Sequence, residues 1–301
     1  MEIRVLRYFL TVVREESITK AAEMLHITQP TLSRQLAQLE EETGVKLFNR
    51  GSRKITLTNE GILLRRRAEE ILELVDKTSH ELLRQENELK GKITIGCGEL
   101  KSVQTLSKIC RMFHEKYPQV TFEVYTATAD AVKERMDRGL IDIGLLLEPV
   151  GLEKYEYIRM PVQEEWCVLM QPDDPLAGKS AITANDLESQ PLILPQRLNV
   201  QSELANWFGS SFKKTNLIIS GNLSTNSAIM TMNGLGYALV INGSVSLWDS
   251  SKLISKPLSP SLTASTVLAW KQNQPFSPAV EKFIHHSKCL LSMNIPDNIS
   301  I

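Results

Sequence analysis

Between Thr28 and Gln35 the chain reads Thr-Gln-Pro-Thr-Leu-Ser-Arg-Gln. Gln29 can present a paired donor and acceptor. Arg34 can bond a guanine edge or a phosphate, and Pro30 and the Thr31 methyl can touch a thymine methyl. Thr28, Ser33 and Gln35 complete a set suited to base edges and phosphates. Downstream, Lys46–Arg67 holds seven basic residues (Lys46, Arg50, Arg53, Lys54, Arg65, Arg66 and Arg67) against one acid, Glu60. The 301-residue chain has a formal net charge of −1, so attraction to nucleic acid must come from a local patch of this kind. Arg50, Arg53 and Lys54 flank a turn from which they could reach phosphates or the minor groove. For Arg65–Arg67 a solvated helix surface is an equal reading.

These side chains need elements to position them. Ile3, Leu6, Phe9, Leu10 and Val13 fall at helical spacing. Ser17 and Thr19 are candidate N-caps for a second helix over 20–25, in which Ala21-Ala22 permits close helix approach. His26-Ile27 reads as a turn. Thr28 can cap a third helix, with Pro30 in its first turn, Leu32, Leu36 and Leu39 on one face and Gly44 as its C-terminal stop. Helix, tight turn, helix is the geometry that lays the second helix in the major groove. Lys46–Thr58, turning at Gly51-Ser52 and alternating at Ile55 and Leu57, predicts a hairpin wing. From Asn59 to about Leu89 the apolar residues Leu63, Ala68, Ile71, Leu72, Val75, Leu82 and Leu83 recur at threes and fours. A helix of that length spans about 45 Å and calls for a partner, a second copy of the chain.

Beyond Lys90-Gly91-Lys92, strand-like segments at 92–97, 121–126, 141–147, 165–171, 191–194, 216–220, 237–242 and 262–269 alternate with helical ones. This rhythm predicts an α/β fold with mostly parallel sheets, and its length asks for two lobes. Ligands in such folds bind beyond the carboxyl ends of strands, where helix N-termini offer free N–H groups. The candidates are therefore Gly98, Glu99, Leu100 and Lys101 after one strand, and Thr126, Thr128 and Ala129 after the next. In the second lobe they are Arg197, Asn199 and Ser202, then Asn222, Ser224 and Thr225. The polar members could bond a carboxylate or merely cap helices. Lys101 and Arg197 are possible counter-charges. Glu99 either faces the cleft, where it repels carboxylates and selects cations, or caps the next helix.

Other chemistries find little footing. None of the four cysteines lies in a CxxC pair and no histidine completes a zinc set, so neither a metal nor a cofactor is expected. Cys97, near the expected cleft, has no resolving thiol beside it in sequence and reads as a buried reduced thiol. A nucleophile elbow, a Ser-x-x-Lys and a phosphate loop are all missing, and Gly96-Cys97-Gly98-Glu99-Leu100-Lys101 lacks the third glycine of a dinucleotide fingerprint. These gaps argue against an enzyme. A purely architectural DNA protein would have no use for the large C-terminal half. No apolar run reaches membrane-spanning length and Met1–Arg14 has no signal-peptide core, so no membrane partner and a cytoplasmic location are expected.

Residues 1–61 resemble the N-terminal domain of the LysR-type transcriptional regulators. The resemblance rests on Ser17 through Leu36, then Leu39-Glu40, Gly44, Leu47-Phe48, Arg50, Arg53 and Leu57-Thr58. The family usually follows that threonine with Ala-Gly; this chain has Asn59-Glu60-Gly61. A looser likeness continues through Lys92–Gly96, Asp142-Ile143-Gly144-Leu145, Asp174-Pro175-Leu176-Ala177 and Gly234-Leu235-Gly236-Tyr237-Ala238. The resemblance implies a winged helix-turn-helix at 1–58, a linker and dimerisation helix at 59–90, and an effector-binding domain at 91–301. That domain would comprise two Rossmann-like lobes similar to a periplasmic binding protein, lobe one at 92–162 and 268–292, lobe two at 163–267. It implies a sequence-specific transcriptional regulator of double-stranded DNA, answering a small-molecule effector held between the lobes. It further implies a homodimer through the linker helix, assembly to a homotetramer, and RNA polymerase as a further partner. The family's second cleft loop often carries Asn-Ser; Thr128-Ala129 here removes one hydroxyl.

Overall fold

Phe9, Leu32 and Leu39 are sealed from solvent together with Leu6 and Leu36, and around them three short helices close on one another. The computed structural model of the protein describes residues 1–50, 55–82, 89–243, 245 and 248–292. Residues divide into two compact units, Met1–Arg84 and Gln85–Ile301.

In the first unit α1 is Ile3–Glu15, α2 Ile18–Met24 and α3 Gln29–Thr43. Ser17 caps α2 by accepting from the Lys20 amide at 3.4 Å, so this helix starts two residues before the expected Lys20. Thr28 holds the N-cap position of α3, but its hydroxyl bonds the Thr31 hydroxyl rather than a backbone N–H. Gly44 ends α3 in the left-handed region at φ 71°, where a side chain would be strained. The wing strands are β1, Phe48–Arg50, and β2, Ile55–Leu57, paired antiparallel. The turn between them, including Arg53 and Lys54, lies outside the described residues.

One carboxylate fastens the wing to α3. Glu40 is buried, and it accepts from the Leu47 amide at 2.8 Å, the Phe48 amide at 3.3 Å and the Lys46 ammonium at 2.8 Å. Burial by itself would raise its pKa; the Lys46 ammonium and the two amides outweigh that and hold it below the usual carboxylate value. Thr58 then joins the wing to the next helix, α4, Asn59–Leu82. Its hydroxyl donates to the Lys46 carbonyl at 2.7 Å and accepts from the Gly61 amide at 3.0 Å. A Cβ on Gly61 would sit 2.2 Å from the Leu47 carbonyl oxygen, so glycine is required there. At 1.5 Å per residue, the 24 residues of α4 span about 36 Å. Ala68 and Leu72 enter the core of the unit, while Ile62, Leu63, Ile71 and Leu74 stay exposed.

The second unit contains β3 (Gly91–Cys97), α5 (Val103–Lys116), β4 (Val120–Thr126), α6 (Ala129–Asp137), β5 (Ile143–Leu147) and β6 (Tyr155–Arg159). It continues with β7 (Glu164–Met170), β8 (Pro191–Pro195), α7 (Leu198–Phe208), β9 (Asn216–Gly221), α8 (Ser224–Met232) and β10 (Tyr237–Ile241). The chain then adds β11 (Ile254–Pro257), β12 (Thr263–Ala264), β13 (Thr266–Lys271) and α9 (Pro278–Ser292). Lobe one holds a sheet in the order β4-β3-β5-β13-β6; lobe two holds β11-β7-β10-β8-β9, with β12 also on β7.

Both sheets are mixed, which corrects the expectation of mostly parallel ones. β13 runs antiparallel to β5 and β6, and β7 runs antiparallel to β10 and β11. The reason is connectivity. β7 and β13 arrive from the opposite lobe and need no helical crossover, so nothing forces them parallel. The single strand expected at 262–269 is likewise two, because β12 pairs in lobe two and β13 in lobe one. Edge strands β6 and β11 had no expected counterpart. β6 interleaves Glu156 and Arg159 with its apolar residues, and β11 ends on Pro257, tolerable only at an edge. Two family-like motifs have structural uses. Buried Asp142 accepts from the Thr94 amide at 2.8 Å, and Asp174 caps Pro175–Gly178 while accepting from the Tyr237 hydroxyl at 2.7 Å. Among the described residues, no helix is long and apolar enough to cross a membrane.

Replacing Glu40 with Ala strands two buried amides, at a cost of about 2 kcal/mol. The expected outcome is roughly 30-fold faster hydrogen exchange at Leu47 and Phe48. Because the folded Glu40 pKa is depressed, its contribution is complete above the unfolded value near about 4.3. It is lost as pH falls through the lower folded value.

Candidate DNA interface and effector cavity

The α3 helix turns its sequence into a two-sided object. Leu32, Leu36, Leu39 and Glu40 are buried, and Arg34 lies opposite them. Thr28, Gln29, Pro30, Thr31 and Arg34 are exposed, clustered on the first two turns. Ser33 and Gln35 are half-buried on the flanks. Gln35 shares a crease with Glu2 and Val5 at the start of α1, so its side chain serves the edge of the face rather than its centre. Ala21 and Ala22 are almost wholly buried, which lets α2 pack closely without a bulky layer. Arg50 belongs to β1 by its backbone. Arg65 pairs with Glu69 at 3.0 Å and Arg67 with Glu70 at 2.8 Å, so these two follow the solvated-surface reading.

In the second unit a cavity of about 90 Å³ lies between the two sheets. A buried water needs about 10–15 Å³ by a comparable measure, so the space suits a small molecule. From lobe one, the expected residues Gly98, Glu99, Leu100, Thr128 and Ala129 line it. From lobe two, Arg197, Asn222 and Ser224 do so. Lys101, Thr126, Asn199, Ser202 and Thr225 are not among the residues that line it. The Lys101 amide donates to Glu164, and Thr126 is exposed at the end of β4. Asn199 is exposed, Ser202 donates to the Leu198 carbonyl, and Thr225 is engaged by Glu99. Trp166, Leu145, Leu147, Val200, Leu239 and Ile241 also line the cavity and were not singled out in the sequence. In sequence they are ordinary apolar strand and helix positions, which look alike whether they face a cavity or a packed core.

Four helices begin around this cavity, and each N-terminus is handled differently. At α5, Glu164 is fully buried and accepts from the Lys101 amide, the Ser102 amide and the Ser102 hydroxyl, each at 2.8 Å. At α6, the Thr128 hydroxyl accepts from the Ala131 amide at 3.4 Å. At α8, Glu99 reaches across from lobe one and accepts from the Thr225 amide at 3.0 Å and from its hydroxyl. Glu99 therefore caps a helix, but one in the other lobe rather than the helix that follows it.

At α7, Arg197 is the N-cap and is directed across the cleft instead. Its Nε and Nη2 bond the two Asp130 oxygens at 3.0 and 3.2 Å. Nη1 donates to the Leu147 carbonyl at 3.2 Å and Nη2 also donates to the Pro149 carbonyl at 2.9 Å. With a residue exposure of 8%, this guanidinium works as a strap between lobes more than as a waiting counter-charge. Cys97 is buried and does not line the cavity; burial pushes its thiol pKa up, away from redox reactivity.

A core-anchored helix with a polar outer face, set beside a hairpin and followed by a two-lobed unit with a cavity, defines a ligand-responsive DNA-binding regulator. Comparisons with known proteins agree. The family model "Bacterial regulatory helix-turn-helix protein, lysR family" matches residues 3–62, and "LysR substrate binding domain" matches residues 86–291. The Hca operon transcriptional activator HcaR of Escherichia coli strain K12 is 29% identical over 294 residues, covering 94% of this chain and 96% of that protein. The HTH-type transcriptional regulator BsdA of Bacillus subtilis strain 168 is 34% identical over 215 residues, 69% of this chain and 72% of that one. The crystal structure of CbnR, a LysR family transcriptional regulator, superposes with a TM-score of 0.74 at 21% identity, over 97% of this chain and 99% of that chain. The chain belongs to the LysR family of transcriptional regulators: it binds DNA through the helix-turn-helix, carries an effector-binding domain, and is not an enzyme.

The strap makes a quantitative distinction. Arg197→Met leaves two carbonyls unmatched and is expected to cost about 2 kcal/mol of stability. Asp130→Asn should cost less than about 1 kcal/mol, because its side chain is 60% exposed. Denaturant unfolding of the two variants checks the order, and equal losses would contradict it.

Proposed function

We propose that Thr28, Gln29, Pro30, Thr31, Ser33 and Arg34 read base edges and nearby phosphates, with Arg50, Arg53 and Lys54 of the wing gripping the backbone. Gln35 stands at the rim of this face. The observation that carries the reading is the outward first turn of α3, polar and exposed, on a helix whose other side is anchored by Leu32, Leu36 and Leu39. The working division is 1–58 for DNA, 59–90 for a dimerising linker and 91–301 for effector binding. The exposed Ile62, Leu63, Ile71 and Leu74 on α4 support the dimer, since a lone helix would leave them in water. Two dimers assemble to a homotetramer, RNA polymerase is the downstream partner, and the protein acts in the cytoplasm.

The effector is a small molecule held in the cavity lined by Glu99, Thr128, Arg197, Asn222 and Ser224. Cross-lobe contacts at Glu99 and Arg197 make its occupancy a matter of lobe geometry. An effector shifts that geometry only to the extent that it binds one arrangement better.

Footprinting on DNA upstream of the protein's own gene, repeated with a panel of metabolites, tests the reading; the expected result is a protected inverted repeat whose pattern shifts with one of them. Arg34→Ala is expected to weaken specific DNA by about 1–3 kcal/mol and random DNA much less. Arg53→Ala should weaken both alike and flatten the salt slope by about one unit. Equal loss on every sequence for both variants would refute this division of labour.

A further inference from the structure

The cavity sits where helix N-termini would ordinarily welcome an anion, and the chain fills two of those positions, at α5 and α8, with its own carboxylates. Glu164 occupies the start of α5. Four of Arg197's five N–H groups are engaged, with Asp130 and two carbonyls. Glu99 lines the cavity and places its carboxylate on the start of α8, where both the amide and the hydroxyl of Thr225 donate to it. That is the contact a ligand carboxylate would make. The rest of the lining is chiefly apolar, and Trp166 brings a further polar group. Its indole is 3% exposed, and Nε1 has no hydrogen-bond partner.

We propose that Glu99 acts as a tethered carboxylate ligand: it fills the anion position at α8 from within the chain and so excludes a ligand carboxylate from that position. Three physical points support this. A helix N-terminus carries partial positive charge and unpaired N–H groups, and one carboxylate satisfies both. A second carboxylate brought beside Glu99 meets like charge in a partly desolvated site, with no free guanidinium to offset it. A buried indole N–H without a partner favours a ligand that offers an acceptor, which an uncharged carbonyl or ether does. The proposal rests on the reading of this cavity as the effector site. It adds the ligand group that is excluded and the residue that excludes it.

The test uses the full-length protein, with sodium acetate as probe and sodium chloride at matched ionic strength as control. Titration calorimetry is run on the wild type, on Glu99→Ala, and on Glu99→Ser in case the alanine variant fails to fold. Removing Glu99 frees the α8 start, so either variant should bind acetate at least about tenfold more tightly than the wild type. Acetate binding that is equal in wild type and variant, or missing from both folded variants, overturns the proposal. DNA binding by the same preparations separates the two ideas. A wild type that binds no DNA would sink the regulator reading and leave the acetate comparison readable, whereas unchanged DNA binding with unchanged acetate affinity removes only the role of Glu99.

Discussion

A helix start exposes up to four backbone N–H groups, and four helices start around one small cavity in the second unit. Three of these starts are met by a side chain, at α5, α6 and α8, and much of what surrounds the crevice follows from that. Glu164 is fully buried because three donors at the head of α5 require an acceptor there. Thr128 serves α6 with its own hydroxyl. Glu99 serves α8 from the other lobe, so the satisfaction of one helix also fixes the separation of two sheets. The same groups that neutralise helix ends are therefore the groups that hold the lobes in register.

The first unit solves a different problem, that of holding a short polar-faced helix at a fixed angle to a hairpin. Its solution is a chain of contacts that runs from α3 through Glu40 to the head of β1, and from the Lys46 carbonyl through Thr58 to the start of α4. Gly61 permits the last of these by letting α4 approach the Leu47 carbonyl. Thr58 holds the Gly61 amide at the same point, so the cap and the close approach act on one residue. A long helix thus begins as a direct extension of the wing.

The parts of the fold that were legible in the sequence are those fixed by neighbours in the chain. Leu32, Leu36 and Leu39 define a helix face at a spacing of three and four, Ser17 marks a helix start, and Gly44 a stop. The two-lobed α/β character showed in the alternation of segments, and eight of the proposed cavity residues fell where loops follow strands. What was hidden depends on residues far apart. Glu99 meets Thr225 across 126 positions and Arg197 meets Asp130 across 67, and no local pattern announces either. Antiparallel strands that arrive from another lobe look, in sequence, like any other strand. Glu40 looks like a surface acid on a polar helix until the wing folds over it.

The route of the chain between sheets sets the kind of motion open to the second unit. Among the described residues the chain crosses between the lobes twice: at 160–163 between β6 and β7, and at Ser265 between β12 and β13. One is four residues long and the other a single residue, and each joins strands that are themselves locked into sheets. The two crossings lie side by side, since β12 pairs with β7 and β13 with β6, so a turn of one sheet against the other would pass through torsions at both. An occupant of the cavity between the sheets acts on those torsions only by favouring one setting of them over another.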